Sequence, residues 1–137
     1  MITEDYVSPE IAVLLKKKGF NEECDVAYSK INGEYLLNDV VDDYGYGSTN
    51  SYLECKNEMS APTLQMACKW LREVYGLFIS IGNDDLNYNW QIIDVKNRTD
   101  NLDPTYLTES HAGYETYEEA VEAALKYSLS EKLLYEL

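Results

Sequence analysis

The chain has 137 residues, a length that suits one domain and lets a core form without disulfide staples. Its 25 acidic side chains against 11 basic ones leave a net charge of −14, and such a surface repels phosphate backbones, which are held by Lys and Arg. Direct nucleic-acid binding is therefore not expected, and neither is membrane insertion, because no apolar run approaches the ~20 residues of a span.

The first element is SPEIAVLLKKKGF. Ser8 is a good N-cap, Pro9 fits the first helical position and Glu10 complements the positive end of the helix dipole. Ile11, Leu14 and Leu15 form the apolar stripe. Lys16, Lys17 and Lys18 sit at the negative end, which explains them without a phosphate ligand, and Gly19 supplies the left-handed stop. Next, Asn32-Gly33 lies between two β-prone runs, a strong hairpin signal because a type I′ turn needs positive φ at both positions. Strands are placed near Val26–Ile31 and Glu34–Asn38.

Residues 39–60 show no periodicity and are rich in Gly, Ser and Asn. They read as a long mobile loop, with a short strand around Tyr52–Cys55. In SAPTLQMACKWLREVYGLFISI, Ser60 can cap a helix whose buried face holds Leu64, Ala67, Cys68, Leu71 and Val74 or Tyr75. Gly76 ends it. The period then changes from 3.6 to 2, with Leu77, Ile79 and Ile81 on one face of a strand. YNWQIIDV pairs with it as a second hairpin, and residues 96–113 read as a loop. Thr116 and Glu119 form the capping box of a last helix, whose stripe is Ala120, Val121, Ala124, Leu125 and Leu129. The order implies an α+β fold: a single domain of about three helices on a mainly antiparallel sheet of about four strands.

The search for chemistry yields little. Cys68 lies two turns inside a helix on its apolar face, where burial raises a thiol pKa, so it reads as core and not as a nucleophile. His111 is the sole histidine and reads as a loop residue. Asn83, Asp85, Asn87, Asn89 and Asp94 approximate the spacing of a calcium loop, but Tyr88 stands where the turn needs Gly, and a strand follows. Asp42-Asp43 reads as a solvated turn. No catalytic, cofactor or metal residue is assigned and no cofactor is expected. Tyr44, Tyr46 and Tyr52 in the long loop, with Trp70 and Arg72 on the central helix, form the candidate interaction surface, because Tyr and Trp bury large areas at modest entropic cost.

Two segments, APTLQMACKWLREVYGLFISI and YETYEEAVEAALKYSL, preceded by YVSPEIAVLLKKKGF, resemble a group of small uncharacterised proteins encoded by phages, prophages and mobile elements of gut anaerobic bacteria. The run Lys69-Trp70-Leu71-Arg72-Glu73 is the most specific part of that resemblance. It implies a provenance and a cytoplasmic setting, and brings no activity or site residue with it. A cytoplasmic setting also fits MITEDYVSPE, which lacks the features of a secretory signal, and the odd number of cysteines without close pairs.

The leading functional expectation is a non-enzymatic accessory or protein-interaction protein whose acidic surface engages a basic partner. One alternative is a small carboxylate- or metal-dependent enzyme, for which Asp84, Asp85, Asp94 and His111 would have to converge. Another is a homo-oligomeric structural component.

Overall fold

The computed structural model describes residues 2–53, 57–95 and 105–130. The chain divides into two compact units, Met1–Thr63 and Leu64–Leu137. The class is α+β, as the sequence implies, with three helices and seven strands among the described residues in place of about four. The strands form two antiparallel sheets.

In the first unit, helix α1 (Pro9–Lys17) starts where the sequence places it. Ser8 Oγ accepts the Ile11 N–H at 3.3 Å, and Lys18 and Gly19 close the other end, Gly19 with φ +92°. Its apolar stripe buries Ile11, Ala12 and Leu15, with Val7 and Phe20 beside them. Strands β1 (Val26–Ile31) and β2 (Glu34–Asp39) form the hairpin, and Asn32 and Gly33 both have positive φ, as a type I′ turn requires. β3 (Glu58–Ser60) pairs with the other side of β1 and packs against α1, so β1 is central and β2 is an edge. Tyr28 ties this sheet to the N-terminal segment by donating to the Val7 carbonyl at 2.6 Å.

Two expectations are corrected here. Tyr52 lies in a turn and not in a strand, whereas Cys55 is outside the described residues; the third strand falls at Glu58–Ser60, where the register against Ala27 and Ser29 can be met. Ser60 is accordingly a buried strand residue and not a helix cap. The described part of 39–60 is heavily hydrogen-bonded. Cys24 and Ser48 exchange two backbone bonds of 2.9 Å, and Asn50 bridges the Phe20 carbonyl to the Ser60 N–H, both at 2.8 Å.

In the second unit, α2 (Leu64–Tyr75) ends at Gly76, whose φ of +70° a side chain would resist. β4 (Leu77–Asp84) and β5 (Asn87–Asp94) then form a fully paired hairpin. The expected loop at 96–113 is corrected: β6 (Thr105–Tyr106) pairs with Ile93 and Asp94, and β7 (His111–Tyr114) pairs with Tyr88 and Trp90, while 96–104 lies outside the described residues. α3 (Tyr117–Ser128) begins at the Thr116 cap, whose Oγ1 accepts the Glu119 N–H at 3.1 Å. Helices α2 and α3 both pack on β4. Leu71, Leu77, Ile92 and Leu125 are fully buried, and each contributes about 2 kcal/mol by leaving water.

The buried face of α2 differs from the expected one. Leu64, Ala67, Trp70 and Leu71 face inward, Cys68 is only half-buried and Val74 is exposed. Trp70 has the largest apolar area on the helix and packs edge-on against Tyr75 at 5.5 Å, so burying it outweighs burying a thiol. Ile79 and Ile81 are likewise half-buried rather than core.

Candidate functional site

The sequence-derived candidates fall into three places. Trp70 is only 7% exposed and belongs to the core of the second unit, so it is withdrawn from the interaction surface. Arg72 is exposed and forms no ion pair among the described residues. With Cys68, Lys69, Phe78 and Tyr117 it lines a cleft of about 590 Å³ bounded by α2, β4 and α3. Burial pushes the Cys68 thiol up to about 11, against an opposing pull from the Arg72 guanidinium. The thiol is therefore protonated at neutral pH and a poor nucleophile.

The four residues named for carboxylate chemistry do not converge. Asp84 and Asp85 are exposed at the tip of the β4–β5 hairpin, whereas Asp94 is buried at its far end, opposite Leu77. His111 stacks flat on Trp90 at 4.2 Å. The calcium-like set is spread along the same hairpin, with Asn83 and Asn89 in paired strands. Among the described residues no three His, Cys, Asp or Glu side chains are grouped to hold a metal, and no helix is long and apolar enough to cross a membrane. Lys16 and Lys17 line a second cleft, of about 440 Å³, with Lys30 and Tyr35. Lys16 Nζ donates to the Glu58 carbonyl at 2.6 Å, and the Lys30 ammonium sits 5.4 Å from the Tyr35 ring centre. These contacts give both cations a structural role.

The strongest surface feature lies in the first unit. Asp42 organises a turn in which its Oδ1 accepts the N–H groups of Tyr44 at 2.8 Å and Tyr46 at 3.0 Å, while its own N–H bonds the Tyr46 carbonyl. Gly45, at φ +86°, lets the chain reverse between them. Both tyrosines are thereby held out to solvent, Tyr44 at 87% and Tyr46 at 64% exposure. Tyr52, at 80% exposure, sits on the next turn, where its N–H bonds the Thr49 carbonyl.

The surroundings of the Asp42 turn are acidic. The backbone bridge from Cys24 to Ser48 and the bond from Gly47 N–H to Glu23 at 2.6 Å bring Glu22, Glu23 and Asp25 beside it. β2 delivers Asp39, and Asp43 follows Asp42. All six carboxylates are exposed, and none is ion-paired among the described residues. Cys24 registers the resulting field: burial first, then Asp25, Glu22 and Glu23, push its thiol up to about 12. Residue spacing did not foretell this end of the molecule, because its acids come from three separate stretches. The one local signal was Asp42 ahead of Tyr-Gly-Tyr-Gly, the pattern of an Asx turn.

Compared with protein-family models, curated proteins and solved structures, the chain shows no match.

Proposed function

We propose that the protein is a non-enzymatic interaction protein, an accessory factor of phage or mobile-element origin acting in the cytoplasm. It takes a basic protein partner on the acidic, tyrosine-bearing end of its first unit. The observation that carries this reading is the Asp42 turn, which presents Tyr44 and Tyr46 to solvent beside exposed carboxylates that form no ion pair among the described residues. Tyrosine loses little rotamer entropy on binding and offers both an apolar face and a hydroxyl. The carboxylates steer a cationic partner and give salt-sensitive association.

The test uses the folded protein as bait in two forms, wild type and Tyr44→Ala/Tyr46→Ala. The expected result is a basic protein retained by the wild type, released as salt rises and lost from the double variant. A partner held equally by both forms, or held regardless of salt, overturns the reading.

A further inference from the structure

β2 is unusual in that all six of its residues are exposed, including Tyr35, Leu36 and Leu37. Among the described residues it is the edge of its sheet, with β1 on one side and no strand on the other. The register fixes which backbone groups are free. Ile31 and Glu34 flank the two-residue turn, so Glu34, Leu36 and Asn38 direct their N–H and C=O groups to β1. Lys30 N–H bonds the Asn57 carbonyl and Ala61 N–H bonds the Val26 carbonyl, which confirms that the alternate residues of β1 face β3. The backbone groups of Tyr35, Leu37 and Asp39 therefore point away from the sheet. Natural edges are commonly blunted by Pro, Lys or a bulge within the strand. The centre of β2, Tyr-Leu-Leu-Asn, has none of these, and its charges stand only at the two ends, Glu34 and Asp39.

From this placement we infer that β2 is a docking edge for an extended segment of a basic partner. That segment adds as a fourth strand and carries a cation at each end of a four-residue uncharged stretch, to meet Glu34 and Asp39. The inference rests on the proposed function for the sign of the partner, and names how that partner is held. A second copy of this chain fits less well. Two antiparallel β2 edges can pair only with their outward-facing residues opposite one another, Leu37 on Leu37 and Tyr35 on Asp39, so neither Glu34 nor Asp39 meets a cation. Each copy also brings a net charge of −14 that repels the other. An incoming Lys or Arg reverses the sign at both ends. At the Asp39 end the strand also runs straight into the acidic turn, since Asp39 Oδ1 accepts the Val41 N–H at 2.8 Å.

The probe is the peptide Lys-Val-Thr-Val-Thr-Lys added to the full-length, isotope-labelled chain and followed by amide NMR and hydrogen exchange. In antiparallel register its two threonines lie opposite Leu37 and Tyr35. The expected result is slowed exchange at the Tyr35 and Leu37 amides, no binding by Glu-Val-Thr-Val-Thr-Glu, and affinity reduced roughly tenfold when both threonine nitrogens are methylated. The methylated peptide removes the edge bonds without altering the protein. Equal affinity for the methylated peptide, or no binding of the basic one, overturns the inference. So do shifts at the same amides with protein concentration alone, which would mean that a second copy takes the edge. Shifts confined to Tyr44–Tyr46 overturn the edge and leave the proposed function standing, whereas a captured partner indifferent to the two tyrosines fails the proposed function alone.

Discussion

His111 lies flat on Trp90, with ring centres 4.2 Å apart and planes 6° from parallel, and Tyr127 leans on both rings at 5.9 and 5.3 Å. The three residues come from β7, β5 and α3, so the stack clips the late strand and the last helix to the hairpin. His111→Ala is expected to lower unfolding free energy by about 1 kcal/mol, the scale of one aromatic pair. Chemical denaturation checks this, and an unchanged midpoint would show the stack to be energetically idle.

The two described cysteines make a pH prediction. Each thiol is raised from an ordinary value of 9.0, Cys24 to about 12 and Cys68 to about 11. Above pH 9 the unfolded chain releases thiol protons that the folded chain retains, so each contribution to stability is full below pH 9 and declines as pH climbs. Cys68 stops contributing near pH 11 and Cys24 near pH 12. In a Cys55→Ser background, thiol-specific labelling of the folded protein should be slow at pH 8 and should accelerate at Cys68 before Cys24. Rapid labelling at neutral pH would refute the protonated state.

Asp42 lets geometry and charge be separated. Asp42→Asn keeps an oxygen to accept the Tyr44 and Tyr46 N–H groups, while Asp42→Ala removes it. Hydrogen exchange at those two amides should quicken in the alanine variant and stay near wild type in the asparagine variant, with a stability loss for alanine of about 1 kcal/mol. Equal exchange in all three proteins would mean that the turn does not depend on this side chain.

Gly47 and Gly45 should respond differently to alanine. A Cβ at Gly47 would collide with the Cys24 carbonyl, the acceptor that holds Ser48, so Gly47→Ala is expected to cost about 1–3 kcal/mol. Gly45 has open space around it but a positive φ, and its alanine variant should cost about 1 kcal/mol. Thermal melts of the pair give the comparison, and a reversed order would contradict the close approach at Gly47.

The features that could be read from sequence are those decided within a few residues. Asn32-Gly33, the Ser8 and Thr116 caps and the Gly76 stop were legible because each satisfies a local backbone demand. Which stripe of α2 turns inward was not, because Leu64, Ala67 and Leu71 can be joined either by Cys68 or by Trp70, and only the opposing sheet decides. β6 and β7 escaped notice because two to four residues carry no period, and their pairing to β5 is set at long range. The exposure of Tyr44 and Tyr46 was open for a related reason: tyrosine is at home both in a core and in water.

The carbonyl of Gly76 accepts the Val95 N–H at 2.9 Å, which seals the open end of the β4–β5 hairpin onto the exit of α2. In kinetic terms, residues 64–95 are thus closed by contacts short in sequence, while the first sheet must bring Tyr28 to Met59 across an intervening hairpin and turn. Chains pay loop entropy before distant pairings reward it. The helix–hairpin segment should therefore form first, and pulse-labelled exchange should find β4 and β5 protected before β3.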